Sequence, residues 1–361
     1  MIFVVDSRIV KEAEILVDYS IKVKKGEYII ITGSEDAAPL IRELYRLILK
    51  RGGYPSVKVE LMGMDYIYYD NASKEQLKKF PQIYWDEIRK AQGYIRIISD
   101  TNTRELSGVD PKKIALRHKT IDIIPDYIVN SRPKMRRCTT IFPTMGLAQD
   151  AEMSLEEYEN FVFGSIDQNW DKLSKRFHFL RDELNKAKEI RIVGKETDLK
   201  MNVYKKSFIS DDGEENLPGG EIFCAPDPKS VEGHVRFTYP AVRDGVEVTN
   251  IYTEFKNGKC VKASADKNDK FLNTMLDMDK GSRYLGELGI GMNPRVTRFT
   301  KELLFDEKIG GTIHLAFGMA YKECGQPNKS ALHWDIVKDL RKGGEIIADG
   351  KTVQKNGRWL V

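Results

Sequence analysis

The strongest constraint on the fold is a change of rhythm near residue 187. Before it, apolar runs the length of buried strands alternate with amphipathic stretches. Tyr28–Gly33 leads into helical spacing over residues 37–49, the Gly52-Gly53 pair stops that helix, and strand-like residues 56–61, a helix over 73–91 and a short apolar run at 94–98 follow. Such alternation predicts βαβ units and a mostly parallel, helix-covered sheet. A long charged helix is predicted from Ser154, where Ser154 and Glu157 have the spacing of a capping box, to about Lys188.

Beyond residue 187 the pattern becomes short strands at 189–193, 233–240, 246–255 and 258–265, separated by Gly, Asn and Asp. Asn257-Gly258 between two alternating segments predicts a tight hairpin, because both residues tolerate positive φ. The expected organisation is an α/β N-terminal domain over 1–187 and a β-rich α+β domain over 188–361. A chain of 361 residues exceeds what one core usually serves, which favours two domains.

Composition narrows the function classes. Apolar residues make up 41% and charged residues 31%, and no apolar run reaches the roughly eighteen residues of a membrane span. The first residues carry no signal-peptide pattern, and the four cysteines, Cys138, Cys224, Cys260 and Cys324, are widely spaced. A cytoplasmic protein with reduced thiols and no membrane partner is expected. Net charge is only +4, and basic residues are interleaved with acidic ones, so no nucleic-acid partner is expected. The cluster Arg132, Lys134, Arg136, Arg137 is the exception and reads as a solvated loop before a strand. Gly33-Ser34-Glu35-Asp36 occupies the position of a phosphate loop, but lacks the glycine patterns that bring backbone amides onto phosphate, and its acids would repel one.

The chemistry is expected in the second half. Two of the five histidines lie there in unusual settings. His314 sits inside the apolar run Gly311–Gly318, and His333 stands two residues from Asp335, so on a strand both point to one face. An imidazole and a carboxylate suit Zn²⁺ or Co²⁺, but two histidines and one aspartate are too few donors for a complete site. Glu221, at the end of Leu217-Pro218-Gly219-Gly220-Glu221, and Glu287, between glycines in Leu285–Gly291, are the candidate additional oxygen donors. Read singly, these residues are a core histidine, a surface turn and an exposed glutamate; together they make a carboxylate-rich set.

In this order the motifs Asn216–Glu221, Gly286–Gly291 with Asn293, Gly311–His314 with Tyr321, and Asn328–Asp335 resemble the thermophilic metallo-aminopeptidase family of the aminopeptidase T and aminopeptidase S type. Phe142–Thr144 and Ala148–Ser154 extend the likeness into the first half. The resemblance implies a hydrolase with two divalent metal ions, zinc, cobalt or similar, held by Glu221, Glu287, His314, His333 and Asp335. It further implies Glu287 and Tyr321 as catalytic residues, peptides with a free N-terminus as substrates, and a homodimer. Either Glu287 or Asp335 could bridge the metals, and either Glu221 or Glu287 could be the general base. The competing readings are another two-metal hydrolase, acting on phosphoesters, and a non-enzymatic assembly protein stabilised by metal. Glu307 reads first as a surface charge before the His314 strand, with a place close to the metals, or supporting their ligands, as the alternative.

Overall fold

The computed structural model describes residues 5–131, 135–243, 245–325 and 327–361. The first four residues, and Arg132 and Lys134 of the basic cluster, lie outside the described residues. Of that cluster, Arg136 pairs with Glu27 and Arg137 with Glu215.

Backbone contacts divide the chain into two units, one running up to Gln168 and including Gly213–Pro218, the other comprising Asn169–Asp212 and Gly219–Val361. The expected single cut near residue 187 thus differs from the observed division. The helix Trp170–Leu184 belongs with the second unit, and the chain returns to the first to add the short strand Asn216–Leu217 beside Arg136–Ile141.

The first unit holds a five-stranded parallel sheet in the order Tyr54–Glu60, Tyr28–Ser34, Gly93–Ile98, Arg136–Ile141, Asn216–Leu217. Ile29, Ile30 and Ile31 are all buried, as a strand covered on both faces requires. Helix Ala38–Lys50 buries Leu40, Ile41, Leu44, Leu47 and Ile48, a stripe at helical spacing, and the chain beyond it turns at Gly52 with φ +78. The Ser34 amide, which a phosphate loop would need, is taken by the Ser99 hydroxyl.

Two long helices of the sequence reading are each divided. Over 73–91, Pro81 separates Lys74–Lys78 from Gln82–Lys90, because proline removes a backbone donor and disfavours helical torsions in Phe80 before it. Over 154–188, Leu155–Ile166 ends at Asp167 and Trp170–Leu184 starts afresh, with the Asn169 side chain accepting from the Lys172 amide. The capping box of Ser154 and Glu157 is formed.

The second unit is β-rich, as expected. One antiparallel sheet has eight strands, including Glu189–Gly194, Thr197–Asn202 and the hairpin Tyr252–Lys256 and Lys259–Ser264, whose turn places Asn257 and Gly258 at φ 50 and 79. A second runs in the order His333–Asp339, Thr312–Gly318, Leu285–Gly291, Glu221–Cys224, Ile209–Asp211, and a third is the pair Ala241–Arg243 and Val246–Val248. Phe255 and Phe317 stack across the two larger sheets at 5.7 Å. The Leu285–Gly291 and Thr312–Gly318 strands are buried throughout, which places this second sheet in the core of its unit. Among the described residues no helix is long and apolar enough to cross a membrane.

Within the first unit, Glu12 is fully buried and its carboxyl accepts the Thr140 hydroxyl at 2.7 Å. Burial pushes its pKa from 4.5 up to about 8. A carboxyl raised in the folded state stabilises the fold fully below its unfolded pKa and loses that contribution as pH climbs to its folded pKa. Stability is therefore expected to fall between pH 4.5 and about 8, at up to about 1.4 kcal/mol per pH unit from this group. Glu12→Gln should match the wild type near the lower limit and exceed it in thermal stability near the upper one. Parallel Tm–pH profiles for the two proteins would contradict the assignment.

Candidate metal centre

The five singled-out metal-ligand candidates converge on one face of the second sheet, and strand register explains how. Glu221 lies opposite Gly291, Glu287 opposite Ala316, His314 opposite Gly289, Asp335 opposite Ala316, and His333 opposite Gly318. Cross-strand partners share a face, so each functional side chain projects over a glycine or alanine on the neighbouring strand. The glycines around Glu287 act here through space. A β-carbon on Gly289 would overlap the His314 ring. Gly220, just before Glu221, additionally needs its φ of +122, and a side chain there would strike Asn293, whose amide holds the Gly219 carbonyl at 2.9 Å.

At the centre, His314 Nε2 stands 3.1 Å from Glu287 Oε1 and 3.2 Å from Glu221 Oε2. At the edge, His333 Nε2 is 3.2 Å from Asp335 Oδ2. The His333 Nδ1 lies 2.9 Å from the Met319 carbonyl. A carbonyl only accepts, so Nδ1 carries the proton and Nε2 is the nitrogen turned to the carboxylates. Tyr321 packs its ring on His333 at 4.9 Å and against Phe223 at 6.2 Å, and is 37% exposed.

Two residues enlarge the set. Lys308 is completely buried, and its ammonium donates to Glu221 Oε1 at 2.7 Å and Glu307 Oε2 at 2.9 Å, with Asp211 at 3.7 Å. Glu307 is not the expected surface charge. One turn of helix, Leu303–Asp306, ends at it and carries its carboxylate inward, close to His314 and Asp335. Neither Lys308 nor Glu307 advertises its role in sequence, since a Glu-Lys pair before a strand reads as solvated surface. The apolar Leu303-Leu304-Phe305 run before it is the one local sign that this segment turns inward.

Electrostatics follow from burial and crowding. Burial would raise Glu221, but the Lys308 ammonium and His314 hold it down at about 2. Burial, with Asp335 and Glu221 nearby, raises Glu287 against the pull of His314. Glu307 is pushed by burial up to about 8, against Lys308. Asp335 is lowered despite its burial, chiefly by His333. The carboxylates in turn overcome burial at both imidazoles, holding His314 well above its usual value and His333 at about 10. Burial and the surrounding carboxylates raise the Tyr321 phenol far above its ordinary range.

Two groups have donor atoms close enough to share a cation, namely Glu221, Glu287 and His314, and Glu307, His314 and Asp335. The fit to divalent metal rests on a second observation. Glu287 Oε2, His314 Nδ1 and Asp335 Oδ1 are buried without a hydrogen-bond partner, while Glu221 Oε2 has the His314 Nε2 contact at 3.2 Å. Buried polar atoms are normally satisfied, and unpaired carboxylate oxygens on Glu287 and Asp335 beside the His314 ring suit a cation.

Residues 5–359 match the family model for thermophilic metalloprotease (M29). Over 96% of this chain and 97% of its own length, aminopeptidase AmpS of Bacillus subtilis (strain 168) is 26% identical. Aminopeptidase T of Thermus thermophilus is 25% identical over 97% of this chain and 98% of its own. The solved structure of wild-type AmpT from Thermus thermophilus superposes with a TM-score of 0.85 at 22% identity, covering 98% of this chain and 99% of that one, so the fold is the same.

Lys308 generates a direct test. Removing its charge by Lys308→Met leaves Glu221 and Glu307 buried without their counter-ion, and the metal-free protein should lose about 3–5 kcal/mol of stability in urea denaturation. An unchanged midpoint would mean that the carboxylates do not depend on the ammonium.

Proposed function

This chain belongs to the thermophilic metalloprotease (M29) family and is a metal-dependent aminopeptidase, and we propose that it removes N-terminal residues from peptides using two divalent ions held by Glu221, Glu287, His314, His333 and Asp335. The observation that carries this reading is the convergence of donor atoms of Glu221, Glu287, His314 and Asp335, with buried, unpaired carboxylate oxygens on Glu287 and Asp335. Zinc or cobalt fits a mixed carboxylate and imidazole set. Glu307 is a further candidate ligand, because its carboxylate shares the second donor group with His314 and Asp335. Bound ions of this kind supply Lewis acidity at the scissile carbonyl and an activated water.

The chain's own groups then divide the work. Lys308 fixes Glu221 in its ionised form and orients it, which makes that carboxylate a poor proton acceptor. Glu287 is paired with His314 rather than with an ammonium, which favours it over Glu221 as the general base. The Met319 carbonyl keeps the His333 ring turned with Nε2 inward. Tyr321 stays protonated at neutral pH and can donate a hydrogen bond to the oxyanion of the tetrahedral transition state. A free α-amino group of the substrate would serve as a further donor to the bound ions, which gives the requirement for a free N-terminus.

A phosphoesterase would need basic groups open to the substrate. The buried cation of the centre, Lys308, is already engaged by Glu221 and Glu307. The four cysteines are buried and form no disulfide among the described residues, which supports a cytoplasmic location. A homodimer completes the proposal, and light scattering in solution tests it.

Chelation should abolish hydrolysis of leucyl-anilide, and Zn²⁺ or Co²⁺ should restore it in the wild type but not in Glu287→Gln or His333→Ala. Tyr321→Phe should keep the metals and lower kcat by about 10²-fold. N-acetyl-leucyl-anilide should remain uncut, and its cleavage at the rate of the free amine would rule out the N-terminal requirement.

A further inference from the structure

A cavity of about 160 Å³ opens beside the metal centre, with His333 and Asp335 forming part of its wall. The rest of the wall includes apolar Val242, Phe299, Leu303 and Val337, together with the cationic Arg243 and Lys301. His333, Asp335 and Val337 alternate on one face of the sheet's edge strand, and Trp334 between them also lines the cavity, so it lies along that edge beside the site. Its volume is below the roughly 300 Å³ at which pockets begin to enclose whole small-molecule ligands, and close to the ~150 Å³ of an apolar cavity that accommodates benzene. It is therefore the size of one side chain.

We propose that this cavity is the subsite for the side chain of the substrate's N-terminal residue, that it accepts apolar side chains of leucine to phenylalanine size, and that it disfavours arginine and lysine. The inference rests on the aminopeptidase reading. In such a substrate the α-carbon lies about 1.5 Å from both the amine nitrogen and the scissile carbonyl carbon. Hydrolysis places that amine and that carbonyl at the metal centre, so the side chain branching from the carbon between them has to enter a space that opens beside the same residues. No chain extends beyond the terminal amine, which fits a pocket sized for a single side chain.

The charges in the wall set the polarity of the choice. Arg243 Nη1 donates to the His333 carbonyl at 2.7 Å, tying the pocket wall to the site. The Lys301 ammonium stands 3.6 Å from the Glu247 carboxylate. Asp306 also lines the cavity, but its carboxyl is buried and accepts from the Thr300 amide and hydroxyl at 2.7 and 3.1 Å. An entering guanidinium or ammonium thus meets Arg243 and Lys301 and two acids already engaged, Asp306 by Thr300 and Asp335 by His333, whereas an isobutyl or benzyl group meets valine, leucine and phenylalanine.

The test compares alanyl-, leucyl-, phenylalanyl- and arginyl-anilides, and a leucyl-X dipeptide series, on the metal-loaded full-length enzyme. Val242 and Leu303 are partly exposed, at 38% and 47%, so tryptophan at either can narrow the cavity without replacing a core residue. Val242→Trp and Leu303→Trp should lower kcat/KM for leucyl- and phenylalanyl-anilide about tenfold or more relative to alanyl-anilide. Lys301→Met should raise arginyl- relative to leucyl-anilide. The two tryptophan variants lie on different elements, so misfolding of one leaves the other to decide. Equal losses on all four anilides, or a change confined to the second residue of the dipeptides, would overturn the subsite alone. Failure of the wild type to cut any anilide would overturn the aminopeptidase reading and the subsite with it.

Discussion

A single buried ammonium makes this site compatible with folding. Lys308 reaches Glu221, Glu307 and Asp211 from the end of a short helix, inside a cluster that also contains Glu287 and Asp335. Five carboxylates in low dielectric would repel one another and drive protons onto themselves. Lys308 relieves the part of the cluster nearest Glu221, and the two imidazoles relieve the rest. Even with both imidazoles protonated, five acids face three cations, and the acids in excess hold protons more tightly, as the raised Glu287 and Glu307 show. That excess costs stability in the metal-free chain and is the source of affinity for divalent ions, so folding and metal binding draw on the same electrostatic term.

The sheet supplies what charge alone cannot, namely distance. The five ligand candidates occupy four adjacent strands, and each stands over glycine or alanine on a neighbour. Without those small residues the strands could keep their register, but the imidazole and carboxylates would be displaced from one another. Gly289 is the clearest case, because the His314 ring occupies the space that any side chain there would take. A site carried on strands in a buried sheet has little freedom to drift, which suits chemistry that depends on sub-ångström placement.

Much of this was legible in the sequence, for identifiable reasons. Periodicity separated the parallel half from the antiparallel half because strands covered on both faces read as continuous apolar runs, as in Ile29-Ile30-Ile31. The His333-x-Asp335 pair was readable because strand geometry alone places the two on one face, and the alternating glycines around Glu287 marked close approach. Helix ends were less legible. Pro81 is a visible breaker, but the stop at Asp167 depends on local torsions that no pattern announces. The role of Lys308 and Glu307 was hidden, since their burial is imposed by the tertiary path of residues 303–308, and a lysine beside a glutamate carries no local sign of being inside. The return of Asn216–Leu217 to the first sheet was hidden likewise, because two residues are too short for a period.

The arrangement also separates reaction from selection. The ligand candidates lie on strands whose neighbours fix them, whereas Val242 and Leu303 in the adjoining cavity are partly exposed and lie outside the site sheet. Substitution at a ligand changes charge balance, register and metal together. Substitution at the cavity wall changes the volume offered to a side chain and leaves the buried ion network intact. Diversification of substrate range is therefore structurally cheap in this fold and diversification of chemistry is not, in line with the general division between rigid scaffolds and variable loops. A carboxylate cluster dependent on one buried lysine tolerates few alternatives, while the pocket beside it tolerates many.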